Sequence, residues 1–287
     1  GNVRLVTLRG VNLNSANPEV EILIDASPQN IYSEKLQGIL LNGENKILIR
    51  ANDLSGAASN MIQLPDTTST WFVKKPKGEV LIFDDYSITS FNQQQSEFYN
   101  QIFSTINGGV LAGKFDVFDL ASSPLAFESV TILETLKLFK YVFWYSASNP
   151  RLDLLNIITD KFNQAGGKIA FSMLFQDSTA QYPFDLSTLQ GFLPIDGVSR
   201  KLGTNGTVLS GADIIPSTQN NFPVLETSAS ITFSRAFIPN PIIAEPIYEY
   251  FDRNGTDLGN IAFRTTSKNL FFIGLPLYLC NGANANV

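Results

Sequence analysis

Two adjacent carboxylates and a phenol, Asp84-Asp85-Tyr86, follow the apolar run Val80-Leu81-Ile82-Phe83. Another acid, Asp119, ends Phe115-Asp116-Val117-Phe118. Ser146 and Asn149 come after the apolar stretch Tyr141 to Tyr145, and Ser172 and Gln176 come after Lys168-Ile169-Ala170-Phe171. If these runs are parallel strands, all eight residues gather at the carboxyl-end edge of one sheet, where open parallel sheets bind ligands. Two carboxylates with hydroxyls nearby suit a divalent cation or a polyol. The competing expectation is structural: Asp84 and Asp85 cap the following helix and accept loop amides.

Which chemistry such an edge can perform is bounded by what the chain lacks. It contains no histidine, and no other side chain titrates near neutral pH unperturbed. Ser-His-Asp and Cys-His catalysis are therefore excluded, along with the usual zinc hydrolase sites. Ser172 as a nucleophile would need another base, and Lys168, four residues back along a strand, stands ~13 Å away. A pair of carboxylates can hydrolyse glycosides unaided, and Asp84 or Asp85 with Asp119 is the best pair on offer. Gly108-Gly109 and Gly166-Gly167 follow helical patterns, which puts them at the wrong end of the sheet to cradle a phosphate. The single cysteine, Cys280, excludes an intrachain disulfide and a multi-cysteine zinc site. No cofactor is expected, and the metal question stays open.

The elements that would position these residues change character along the chain. Residues 3–64 alternate in the strand manner: Val3, Leu5 and Thr7, then Val20, Ile22 and Ile24, then Ile47 and Ile49 after Asn42-Gly43, a dipeptide suited to a tight hairpin. Residues 1–68 are expected to form a small β-sandwich, short enough that an edge strand is missing or the chain starts inside it. Residues 69–78, with Lys74, Lys75, Pro76, Lys77 and Gly78, read as a linker, and Trp71 and Phe72 within it as interface packing. From 79 to 287 apolar strands alternate with helical spacing. Phe98, Ile102 and Phe103 precede Asn107-Gly108-Gly109; Val130, Ile132, Leu133 and Leu136 form the next helix; Asn149-Pro150 opens a third, with Leu155, Ile158 and Phe162 on its buried face. This rhythm predicts a doubly wound, mostly parallel α/β sheet. Beyond Gly191, Asn205-Gly206 and Asn254-Gly255 look like hairpin turns among short strands, and Leu270-Phe271-Phe272-Ile273 like a last core strand.

Net charge is −6 and the lysine run at 74–77 is the longest cationic cluster, so nucleic acid is not expected as a partner. No apolar run is long enough to span a bilayer. A lean 16% of charged residues is common in exported proteins. Gly1-Asn2 reads as a junction, with any export signal or lipid anchor removed ahead of it, and the expected location is the periplasm or cell surface.

Four features in order resemble the glutamine-amidotransferase-like (flavodoxin-like) domain of exported proteins from Gram-negative gut anaerobes. They are Val80 to Tyr86, Tyr141 to Tyr145, Ala165-Gly166-Gly167-Lys168-Ile169, and Phe272-Ile273-Gly274-Leu275-Pro276-Leu277-Tyr278. Such domains often follow an immunoglobulin- or fibronectin-like module, which Arg50-Ala51-Asn52-Asp53 with Gly56-Ala57 resembles. The resemblance implies a catalytic cysteine at a sharp turn after a central strand, with a downstream histidine and glutamate. The corresponding turn here, Phe171-Ser172-Met173-Leu174, has no cysteine, and Cys280 lies in the wrong place. The family's activity therefore does not carry over. The expected function is a non-catalytic exported binding or scaffold protein recognising a carbohydrate or a protein partner. The alternatives are a carboxylate-based, cation-assisted glycan hydrolase and a purely structural interaction protein whose strand-end cleft is filled by residues 173–190.

Overall fold

The computed structural model describes residues 5–12, 19–25, 43–52, 57, 59–60, 62–64, 71–73, 75–86, 92–120, 128–147, 149–180, 185–201, 206–208, 213–216, 222–251 and 257–280. The chain forms two compact units, Gly1–Lys75 and Pro76–Val287.

In the first unit, β1 (Leu5–Asn12), β2 (Glu19–Asp25), β3 (Gly43–Asn52), β4 (Ile62–Leu64) and β5 (Trp71–Val73) form one antiparallel sheet. β1 lies between β2 and β3. On its other side, β3 pairs with β4 through Ile47–Ile49 and with β5 through Gly43–Asn45. The immunoglobulin-like sandwich is thus corrected to a single sheet among the described residues, since a sandwich needs two layers packed face to face. Trp71 and Phe72 belong to β5 and pair with Asn45 and Glu44. Asn42 and the turn it was expected to make lie outside the described residues.

Among the described residues the second unit is a mixed sheet of eleven strands with four α-helices. Five strands are parallel: β6 (Val80–Asp85), β7 (Phe115–Asp119), β8 (Tyr141–Ser146), β9 (Lys168–Ser172) and β16 (Leu270–Ile273), in the order β7-β6-β8-β9-β16. The other six are β10 (Ile195–Lys201), β11 (Asp213–Pro216), β12 (Leu225–Glu226), β13 (Arg235–Pro239), β14 (Ala244–Phe251) and β15 (Asp257–Thr265). Every pairing these six make is antiparallel, and β15 joins them to β16.

The doubly wound, mostly parallel expectation is therefore corrected. A doubly wound sheet carries helices on both faces along its length. Here α2 (Glu128–Leu136), α3 (Leu152–Gln164) and α4 (Leu186–Gln190) all pack into one core with Leu81, Phe83, Val142 and Ile169. On the opposite face α1 (Asn92–Gly109) packs alone among the helices, against Val80, Ile82, Phe115 and Tyr145. The chain after Gly191 adds strands to the sheet where a regular fold would add a covering helix. Asn205, Asn254 and Gly255 fall outside the described residues. The strands they were to join appear as an isolated bridge between Val208 and Ile231 and as the β14–β15 pair.

Local chemistry sets the helix ends. α1 breaks where Asn107, Gly108 and Gly109 take φ of 51°, 72° and 79°, a region costly for most L-residues. α3 starts two residues later than Asn149-Pro150 suggested: its N-cap is Arg151, whose carbonyl takes the first helical bond from Leu155. At the other end Gly166, at φ 89°, lets its N–H reach the Asn163 carbonyl and that of Gly167 reach Phe162. A Cβ on Gly167 would lie 2.2 Å from Phe162 Cζ, and Phe162 is 1% exposed with nowhere to retreat. Gly167→Ala is expected to lower stability by about 1–3 kcal/mol, seen as a lower urea midpoint at unchanged slope. An unshifted midpoint would show that this core gives way easily.

Candidate functional site

Strand alternation decides what the carboxylates can do. Successive side chains on a strand face opposite sides of the sheet. Asp84 continues the Val80, Ile82 face, and Asp85 continues the Leu81, Phe83 face. Their partners on β8 confirm the split. The Tyr145 hydroxyl donates to Asp84 Oδ2 at 2.5 Å, whereas the Trp144 indole Nε1–H donates to Asp85 Oδ2 at 3.2 Å. Two neighbouring acids are thus separated by the sheet itself and share no ligand.

On the α1 face, Asp84 also accepts from the Tyr86 N–H at 3.0 Å, and it lies in register with Asp119 on β7. The Tyr86 and Tyr278 hydroxyls are 3.5 Å apart, and the Tyr99 ring packs 4.3 Å from that of Tyr145. Ser172 is fully buried here. Its hydroxyl donates to the Leu275 carbonyl at 2.8 Å, accepts the Leu277 N–H at 3.1 Å, and stands 3.4 Å from the Tyr99 hydroxyl. It fastens the segment after β16 to the end of β9, a structural duty that leaves no free attacking group.

On the other face, Asp85 accepts from the Arg151 backbone N–H at the start of α3, the role expected of Asn149. Ser146 donates to the Asp85 carbonyl at 3.2 Å. Asn149 is exposed and Gln176 half-buried, and neither bonds to a carboxylate among the described residues. The segment after β9 covers this edge: Met173 and Phe175 are buried, and Phe175 stacks on Phe272 with centroids 5.9 Å apart. Arg235 pins it by donating to the Phe175 carbonyl at 3.2 Å and to Asp177 at 2.5 Å. Among the described residues no group of three or more His, Cys, Asp and Glu could hold a metal ion, so Asp84, Asp85 and Asp119 do not converge as a cation site.

Burial shifts both acids upward. Desolvation takes Asp84 up to about 6, offset in part by the Tyr145 and Tyr86 hydrogen bonds and aided by the nearby Asp119 charge. Asp85 is pushed up to about 7 by burial, against the Trp144 and Arg151 bonds and the Arg151 charge. The Tyr145 phenol is raised by burial and by Asp84.

A concavity of this unit lies at the opposite edge, where the parallel strands begin. A groove of ≈ 840 Å³ is floored by Val80, Phe143, Ala170 and Phe271 and flanked by Phe103, Val110 and Leu111 of α1 and the turn after it, with Phe222 also in its lining. Lys77, Lys114, Lys168, Lys268 and Arg264 line it, against one acid, Glu79. Sequence reasoning missed it. The available signal was a lysine at or just before each parallel strand: Lys77, Lys114, Lys140, Lys168 and Lys268 precede or open β6, β7, β8, β9 and β16.

No family model matches the chain, and no curated protein matches it. The amidotransferase-like resemblance therefore rests on its four sequence features alone. Among the described residues no helix is long and apolar enough to cross a membrane.

Because the native acids hold their protons to about 7 and about 6 while the unfolded chain releases them near 3.8, the folded state binds more protons in between. The stability these two acids contribute is then fully present below about pH 4 and is lost as pH rises to about 8, by on the order of 4 kcal/mol for Asp85. Trp71 and Trp144 are the two tryptophans, so Trp71→Phe leaves the indole that touches Asp85 as sole reporter. Its fluorescence is expected to titrate with a midpoint near 7 that vanishes in Asp85→Asn. A midpoint near 4 would show an ordinary, hydrated carboxylate.

Proposed function

We propose that this chain is a non-catalytic binding protein of the exported class, its second unit a rigid scaffold that recognises a partner by surface complementarity. The observation that carries this reading is the commitment of the strand-end groups. Asp84, Asp85, Ser146 and Ser172 each hold a partner inside the protein. Carboxylate glycoside hydrolysis needs an acid pair facing one substrate across a gap. Asp84 and Asp85 face opposite sides of the sheet, and Asp84, in register with Asp119, is taken up by the Tyr145 hydroxyl and the Tyr86 N–H. A glycan site needs converging polar groups beside open aromatic faces. Of the tyrosines at this end, Tyr99 of α1 and Tyr145 of β8 are buried, at 3% and 2% exposure, and Tyr86 and Tyr278 are half-buried, which favours a protein or apolar partner over a sugar.

The test is a turnover panel of glutamine, p-nitrophenyl esters and p-nitrophenyl glycosides, with and without divalent cations, on the wild type and on Asp84→Asn and Asp85→Asn. No rate above buffer is expected for any of them. A wild-type rate lost in either variant would make the chain an enzyme and end this reading.

A further inference from the structure

The groove at the strand-start edge joins two properties that suit one kind of ligand. Its floor is apolar and built by register: Phe143 pairs with Ala170 and Ala170 with Phe271, so their side chains lie in a row on the sheet face beside α1. That row sits two residues into β8 and β9 and one into β16, about 3–7 Å from the strand starts. Five of the lining residues are cationic and one is acidic, in a chain whose net charge is −6, so the positive charge is concentrated at this site against the average. Arg264 is paired with Glu245. Among the described residues Lys114, Lys168 and Lys268 have no ion-pair partner, and Lys114 and Lys168 are exposed at the strand starts.

We propose that this groove binds a long-chain carboxylate, the alkyl tail lying along Phe143, Ala170 and Phe271 and the head group between Lys168 and Lys268, at the starts of the adjacent strands β9 and β16. An apolar trough alone would take any greasy surface, and a basic patch alone any anion. The combination selects an amphipathic anion, because tail burial and charge pairing occur together only for that chemistry. The bounded, concave volume of ≈ 840 Å³ is within the range of small-molecule sites and favours a single free carboxylate over a membrane surface. The proposal rests on the non-catalytic reading above and names the ligand class for that scaffold.

Calorimetry on the full chain with dodecanoate, below its micelle concentration, is expected to show saturable one-to-one binding. Affinity should weaken severalfold between about 50 and about 500 mM NaCl, as the head group is screened. Dodecyltrimethylammonium, with the same tail and the opposite charge, is expected to bind at least about tenfold more weakly. Lys168→Glu and Lys268→Glu should each weaken dodecanoate at an unchanged melting temperature, and Ala170→Trp should abolish binding by filling the trough. If Ala170→Trp fails to fold, Val110→Glu, at a position 50% exposed, serves as the blocking variant. Equal affinity for both amphiphiles, or binding indifferent to every variant, overturns the proposal. So does co-sedimentation with phosphatidylglycerol vesicles in the absence of any dodecanoate heat, which would assign the groove to a lipid surface. Hydrolysis of a dodecanoyl ester would break the non-catalytic reading while leaving carboxylate binding intact, so the two failures are distinguishable.

Discussion

Parallel pairing places every strand's first residue at one edge of a sheet and every last residue at the other. In the second unit this constraint sorts the charge of the chain. Lysines stand at or just before the starts of β6, β7, β8, β9 and β16, and carboxylates end β6 and β7. β6 is buried at all six positions and carries charge only at its carboxyl end. The acid inside a neighbouring strand, Asp116 of β7, is buried and accepts the Lys77 N–H at 2.7 Å. The cationic rim opens onto a groove. The acidic rim is closed over by the segment after β9, whose Met173 and Phe175 are buried against the sheet.

The closed edge shows why buried acids can be retained without a catalytic task. Asp85 satisfies the Trp144 indole N–H and the Arg151 amide in the same small space. Removing it would orphan two buried donors, a loss of about 1–3 kcal/mol for each. The Trp144 ring is in turn stacked on Phe83 at 3.8 Å, so the carboxylate also holds the aromatic layer under α2 and α3 in place. Asp84 does the same for Tyr145, which packs on Tyr99 of α1. Elevated carboxyl pKa values often mark catalytic acids. Here the same shift arises from burial at the carboxyl end of β6, and the hydrogen bonds the two acids accept only partly offset it.

Much of this was legible in the residues, and the misreadings have physical causes. The five parallel strands announce themselves as short apolar runs, because a strand covered on both faces has no polar positions to alternate. α1, α2 and α3 follow from their spacing, and α1 and α3 also from the glycines that stop them. The opposite orientation of Asp84 and Asp85 was also implicit in the period of two. Adjacency in sequence suggested a pair, while adjacency on a strand guarantees separation. Residues 191–265 were harder. Their strands are short, bulged and interrupted, as between Pro246 and Tyr248 or Val198 and Arg200, and such segments carry weak periodicity. Nothing local states that they extend an existing sheet instead of building a new layer.

That extension explains the groove. A parallel strand must be reached by a crossover, and a helical crossover covers the face it crosses. Between β9 and β16 the chain makes that return through α4 and six antiparallel strands. α4 lies on the side already occupied by α2 and α3, since its Leu189 joins their core. Among the described residues no helix lies on the α1 side over β9 and β16, and Phe143, Ala170 and Phe271 of β8, β9 and β16 are only half-buried. A half-exposed apolar row at the centre of a sheet is costly in water unless something screens it. The neighbouring lysines supply long aliphatic stems that can lie over part of that row while their ammonium groups stay in water. The same residues that make the exposed trough tolerable in the free protein therefore set the charge of whatever displaces them.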